Sequence, residues 1–239
     1  GSSPDICPEL LCSEFSAMTV PKRNPTPGHP HGKSAAGRSA ATAFIVELAS
    51  RLKADPYFVQ CSRTDQKRGY KGSRTLYWTK DLQAKTAPYC PPDRALMAYV
   101  DVDYYVNMPD ILAREFRPVI LYSFTPRKVA KATGEYTYTI LRDGSFNCRV
   151  TGGAQYTHKL WNFLGPLDGL KVETEIWEPG CFPLGICGYN TKIVATYRVE
   201  KKYCEEDRSL IFLVRLKRWV GYPAEVASRW LQGATLEHI

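Results

Sequence analysis

The sequence predicts an α/β protein whose parallel sheet is followed by an appended antiparallel β extension. Two observations carry this prediction. Between Met97 and Phe124 a strand-like run, a short helical stretch and a second apolar run follow one another, the order that builds parallel strands joined by a crossover. Beyond Tyr136 the chain turns to β-branched and aromatic runs separated by turn signals, which is antiparallel in character.

The elements follow in chain order. Residues 1–30 are rich in proline and end in PTPGHP, which reads as an irregular arm ordered only where it docks. From Ser34 to Lys53 the residues Ala41, Ile45, Leu48, Ala49 and Leu52 recur at helical spacing, with Ser34 placed to cap the start. Arg38 falls on the same stripe, one heptad before Ile45. Its guanidinium therefore stands on the face that enters the core, near a helix start where backbone N–H groups attract anions. Either it snorkels to the surface or it is held inward for a phosphate or carboxylate.

Strand-like pieces follow at Tyr57–Cys61 and Arg74–Thr79, with Asp81 in a polar loop. In the next run Asp101 and Asp103 alternate with Val100, Val102 and Tyr104, so a strand reaching to near Met108 would put both carboxylates on one face. Burying an unpaired carboxylate is costly, so such a face looks onto a ligand, a metal or a matched cation, unless it is the solvated side of an edge strand. Pro109 can open a short helix, and Pro118–Phe124 reads as a fully buried strand. Tyr136–Ile140 and Phe146–Val150 flank Arg142-Asp143-Gly144, a hairpin turn signal. Strands are expected over Val172–Trp177, Lys192–Val199 and Leu210–Trp219, with a terminal helix over Ala224–Leu231.

A composition of 44% hydrophobic and 23% charged residues fits one large globular domain or two small ones and excludes a disordered chain. No window approaches a membrane span and no secretory signal opens the chain, so this piece is expected to be soluble. Gly1-Ser2-Ser3 reads as a cloning remnant, leaving room for natural sequence, and a membrane anchor, beyond either end. The net charge of +8 favours polyanionic partners such as RNA, nucleotide phosphates or an acidic membrane surface. Basic residues cluster at Lys67, Arg68, Lys71 and Arg74, at Arg127, Lys128 and Lys131, and at Arg215, Lys217 and Arg218, which as solvated faces would simply aid solubility.

The eight cysteines include no CxxC pair, which argues against a compact zinc module; four disulfides are possible by count, but a chain with an ample core does not need them and the missing secretory signal points to a reducing compartment. Cys181, Cys187, Cys204 and His158 could converge on a metal in three dimensions, against the plainer reading of buried thiols. The identity of any metal site is unknown from sequence. There is no dinucleotide or phosphate-loop fingerprint, no GxSxG and no HExxH. A Cys187–His158 protease pair is what chance supplies among eight cysteines and four histidines.

Four segments in fixed order carry a resemblance. They are His31-x6-Arg38 entering an alanine-rich helix, TLYWTKDL around Asp81, VDVDYYVNMPDIL followed by RPVILYSFTPRKV, and VTGGAQYTHKLW. Together they closely resemble the N-terminal capping region of nodavirus RNA replicases and their tombus-like relatives, itself related to alphavirus-like methyltransferase-guanylyltransferases. CEEDRSLIFLV, from Cys204, is similar to a further CxDR-type segment of the same replicases. The resemblance runs from about His31 to Trp161 and implies a Rossmann-like methyltransferase core over residues 31–165, with residues 166–239 as a β-rich extension packed on it.

The resemblance implies an RNA-capping enzyme. GTP is methylated at guanine N7 by S-adenosylmethionine, the methylated GMP is attached to a histidine with Mg²⁺ present, and it is passed to the 5′ end of viral RNA. His31 matches the covalent histidine, and a neutral imidazole is a competent nucleophile toward an α-phosphate. His29, in the same HPH, could support it. Arg38 matches the essential arginine that clamps the triphosphate. Asp81 matches an acid that holds a ribose, a guanine edge or a cation. Tyr156 falls where the family places an aromatic, often Trp, to stack on the purine. Asp101 and Asp103 are assigned to S-adenosylmethionine or to Mg²⁺ on the phosphates, since ligands gather beyond the carboxyl ends of parallel strands. Asp81 lacks the arginine three residues later that alphavirus-like enzymes carry, and Asp65-x2-Arg68 lies too early to replace it.

Implied partners are GTP, the viral RNA 5′ end, the rest of the replicase with its polymerase, an intracellular membrane in the full-length protein, and further copies in a homo-oligomeric ring. The implied location is the host cytoplasm, on the cytosolic face of an organelle membrane. The alternatives are a catalytically inert replicase module that binds RNA or membrane, and a soluble RNA-binding protein unrelated to capping, which explains the charge but not the motif order.

Overall fold

In a computed structural model of the chain, residues 7–20, 32–60, 74–77, 91–103, 106–124, 136–140, 146–150, 155–158, 169–178, 189–204 and 208–221 are described. Helix α1 spans Pro8–Ala17 and α2 Gly32–Arg51. Strands β1 (Asp55–Gln60), β2 (Arg74–Tyr77) and β3 (Ala95–Val100) follow, then α3 (Met108–Arg114) and β4 (Val119–Phe124). After them come β5 (Tyr136–Ile140), β6 (Phe146–Val150), β7 (Gln155–His158), β8 (Leu170–Glu178), β9 (Tyr189–Tyr203) and β10 (Arg208–Gly221).

The fold is mixed α/β. One sheet has seven strands in the order β2-β1-β3-β4-β10-β9-β8. Its first four are parallel, and β3, α3 and β4 form the expected crossover with Met97 opposite Val119. Such a parallel half is compatible with a Rossmann-like fold. β10 then runs antiparallel beside β4, and β9 and β8 continue antiparallel, so these C-terminal strands extend the same sheet edge to edge. The β5–β6 hairpin forms over the expected residues and, with β7, makes a second sheet of three strands.

Side-chain alternation explains why both faces of the large sheet need cover. In β3 every residue is buried. Leu96, Ala98 and Val100, with Phe58, Ile120, Tyr122 and Phe212, point to the face covered by α1 and α2. Met97 and Tyr99, with Val119, Leu121, Ile211 and Tyr197, point to the face covered by α3 through Met108 and Leu112. The helical stripe Ala41, Ile45, Leu48, Ala49 and Leu52 is buried as its spacing predicted. Helix α2 lies so close to β4 that a Cβ at Gly37 would come within 2.5 Å of the Tyr122 hydroxyl.

The structure corrects three expectations. Residues 8–17, read as part of an irregular arm, form a helix. Its Pro8 sits in the first turn, where the missing N–H costs nothing, and Leu11, Cys12 and Phe15 share a buried face. Phe15 stacks on Phe212 at 5.3 Å and meets Phe44 edge-on at 5.7 Å, so α1 is bolted to both α2 and β10. Helix α2 begins at Gly32, which places Ser34 inside it rather than at its cap. Strand β3 stops at Val100, because Asp101 has φ +53°, a left-handed conformation that ends extended pairing. The start of α3 matches expectation: Pro109 lies in its first turn and Asn107 caps it by accepting from the Asp110 N–H. The expected helix over 224–231 and the 142–144 turn lie outside the described residues.

Candidate functional site

Asp101 and Asp103 do not alternate along a strand; they lie just past the carboxyl end of β3, in the middle of the parallel half of the sheet. Asp101 is anchored by its N–H donating to the Tyr122 carbonyl at 2.8 Å. Asp is one of the few side chains that tolerate a positive φ, which here bends the chain off the sheet edge while the carboxyl stays buried.

Two guanidiniums meet that carboxylate. Arg38 Nη1 from α2 stands 3.6 Å from Oδ2, and Arg208 Nε from β10 stands 3.2 Å from Oδ1. The Arg208 contact lacks hydrogen-bond alignment, so it is a charge pair rather than a directed bond. The inward position of Arg38 thus has a definite partner: a carboxylate of the same chain, with the arginine side chain still 28% exposed. Thr42 donates to the Arg38 carbonyl at 2.8 Å, one turn further along the helix.

Asp103 is more deeply enclosed. Its Oδ2 accepts from Ser123 Oγ at 2.7 Å, while Oδ1 is buried without a hydrogen-bond partner. Burial drives its pKa up to about 7, and the neighbouring Asp101 charge adds to the rise; Ser123 and Arg208 oppose it. With Asp103 protonated, Arg38, Arg208 and Asp101 carry two positive charges and one negative, a net +1. Such a cluster attracts an anion at the partly open Arg38 side.

Divalent metal fits this arrangement poorly. Both oxygens of Asp101 already face cations, and no group of three potential ligands occurs among the described residues. Asp103 Oδ1 lies at the carboxyl end of a parallel strand, where ligands of such sheets gather, but it is buried, so a ribose hydroxyl would reach it only when the residues that cover it are displaced.

Of the other sequence-derived site residues, His31, His29 and Asp81 lie outside the described residues. So do Cys181 and Cys187 from the hypothetical metal set and the protease pair. Tyr156 is in β7 of the smaller sheet, opposite Cys148. The structure therefore brings together Arg38, Asp101 and Asp103, and adds two residues that sequence reasoning left unassigned. Arg208 was visible only inside CEEDR. Ser123 is the one small polar residue within the apolar run VILYSF, a weak signal that gains meaning only when β4 is set beside β3.

These features define an α/β protein with a buried, charged site at the carboxyl ends of its parallel strands. The chain belongs to the Nodavirus Vmethyltransferase family, whose model matches residues 22–173. It is 32% identical over 207 residues to the RNA-directed RNA polymerase of Flock house virus, a match covering 83% of this chain and 20% of that polymerase. It is likewise 32% identical over 136 residues to the RNA-directed RNA polymerase of Greasy grouper nervous necrosis virus (57% of this chain, 13% of that protein). For the Pariacoto virus polymerase the identity is 32% over 140 residues, 57% of this chain and 14% of that protein. The chain thus spans a fifth or less of these relatives, as a methyltransferase-like section of a nodavirus replicase. Arg38, Asp101 and Asp103 fall within the family match, whereas α1 and Arg208 lie outside it.

Proposed function

We propose that this domain caps viral RNA, methylating GTP at guanine N7 from S-adenosylmethionine and then transferring the methylated GMP through His31. The observation that carries this reading is Arg38, a partly exposed guanidinium held at the carboxyl end of β3 beside a buried acid pair. An arginine so placed can reach a phosphate without leaving its helix, and Asp101 fixes its orientation beforehand.

S-adenosylmethionine, when bound, supplies an electrophilic methyl on a sulfonium; Asp103 would hold its ribose through Oδ1 once the residues covering that atom open. N7 carries no proton, so methyl transfer needs no base and simply moves the positive charge from sulfur to guanine. His31 then attacks the α-phosphorus: a P–N bond forms, the bond to the β-phosphate oxygen breaks, and pyrophosphate leaves with Arg38 offsetting the developing charge. A terminal phosphate oxygen of the RNA 5′ diphosphate attacks the same phosphorus, and the histidine is released. Mg²⁺ would arrive on the nucleotide phosphates rather than on Asp101. Asp81 is assigned to the nucleotide and Tyr156 to stacking on the purine. In the full-length replicase the domain would work beside the polymerase, on the cytosolic face of an organelle membrane, within a ring of copies.

One observation favours a second reading, the inert module. Arg38, Asp101 and Arg208 tie α2, β3 and β10 together, so the motif residues could serve the fold alone. The deciding experiment incubates the protein with α-labelled GTP, Mg²⁺ and S-adenosylmethionine and reads label retained on denatured protein. Capping predicts label that needs both the methyl donor and His31, with His31→Ala melting as the parent does. No label from a folded protein, with and without anionic liposomes, supports the inert module.

A further inference from the structure

A groove of about 660 Å³ opens at the other end of the parallel strands from the acid pair. It is bordered by Ala54 before β1, Arg94 and Ala95 at the start of β3, and Pro118 before β4. A six-residue strand such as β3 separates it from Asp101 by about 20 Å. The groove therefore belongs to no part of the site described above.

α1 closes one side through Pro8 and Leu11, and a further wall is β10 from Val214 to Arg218. A bulge between Arg215 and Lys217 shifts the register against β9, just past Leu213, the last residue of β10 paired with β4. Bulges re-aim the side chains that follow them, and here residues 216–220 are all exposed. The sequence cluster Arg215, Lys217 and Arg218 is thereby delivered to one concavity together with Arg94.

The charges there are unbalanced. Arg117 is committed to Glu115 at 2.9 Å and to the carbonyls of Pro91 and Pro92. Arg215 and Arg218 each use one N–H, on the carbonyls of Glu115 and Ala113. Arg94 and Lys217 are exposed with no partner among the described residues. Setting Arg117 against Glu115 leaves four cations facing Asp93, a net +3. Leu216 and Phe116, whose ring carries the Arg117 guanidinium over one face at 4.1 Å, are both about half exposed and add apolar surface to the same walls.

We propose that this groove binds single-stranded RNA through its phosphates. The concavity favours a strand that can lie within the groove, with cations on more than one wall, over a flat lipid surface. Forked, backbone-tethered guanidiniums suit a row of phosphates, and exposed aromatic surface suits unstacked bases. The choice of RNA as the strand rests on the capping reading, but the groove's affinity does not depend on His31 chemistry.

The test measures binding of a fluorescent 20-nucleotide RNA across a salt series, without GTP or methyl donor, so its failure is separate from failure of the adduct assay. Removing two phosphate contacts with Arg94→Ala/Lys217→Ala should flatten the logarithmic salt slope by about 1.4 and weaken binding about 25-fold at 0.1 M salt. Both side chains are exposed, so the urea unfolding curve should not move. Photocrosslinks should fall on Arg94 and on 214–218. Lys171→Ala/Lys201→Ala, which removes the same charge from β8 and β9, should change affinity much less. Unchanged binding by the groove variant, or an equal loss in the control, would overturn the proposal. So would groove-dependent binding to phosphatidylserine vesicles with groove-independent binding to RNA.

Discussion

Replacing Asp103 by Asn should convert a pH-dependent part of this protein's stability into a constant. In the unfolded chain the carboxyl titrates near 3.8, whereas in the fold burial raises it to about 7. Between those values the folded protein holds a proton that the unfolded chain has released, so stability falls as pH rises. The contribution is fully present below about pH 4, declines to pH 7, and is then flat. A shift of about 3 units corresponds to about 4 kcal/mol. Asn keeps the shape and can still accept from Ser123, but it has no proton to lose. Urea unfolding followed by tryptophan fluorescence, at intervals from pH 4 to pH 8.5, gives both stabilities. The difference between wild type and Asp103→Asn should move by about 4 kcal/mol across that range in favour of the variant at high pH. Taking the difference cancels the histidines, which titrate in both proteins. A difference that is flat, or that moves in favour of wild type as pH rises, would refute the argument, since it would mean that Arg208 and Ser123 outweigh burial and keep the folded carboxyl ionised.

Two further substitutions probe the same end of the sheet. Arg208→Ala leaves the buried Asp101 with Arg38 alone and should cost about 1–3 kcal/mol in urea unfolding, below the loss for a fully buried pair because both guanidiniums are partly exposed. It should also raise the Asp103 pKa further, because Arg208 now draws it down. Gly37→Ala should cost about 1–3 kcal/mol by forcing α2 away from the Tyr122 hydroxyl. The same change made in a Tyr122→Phe background should cost clearly less; an equal cost in both backgrounds would place the strain elsewhere.

Much of the fold was legible because its periodicities are local. The helical stripe of α2, the β3-α3-β4 order and the β5–β6 hairpin each declare themselves within a dozen or two residues, where spacing alone separates helix from strand. Helix α1 was lost for an equally local reason: the prolines flanking it outweighed the short apolar face of Leu11, Cys12 and Phe15. That face stabilises a helix only against Phe44 and Phe212, residues far away in sequence. Tertiary packing, rather than helix propensity, decides a ten-residue helix of this kind.

The site divides along the same line. The sequence by itself determined that Arg38 sits on the buried stripe of its helix and that two acids stand where an apolar strand should continue, because both facts are breaks in a local pattern. Only the tertiary structure decided that Arg38 and Asp101 are partners, that Arg208 completes the pair from the far end of the chain, and that Ser123 serves Asp103. The reason is the sheet order: placing β4 and then β10 beside β3 carries residues 20 and more than 100 positions away to the end of one strand. Charge pairing acts over a few ångströms of space and is indifferent to distance along the chain, so no spacing in the sequence records it.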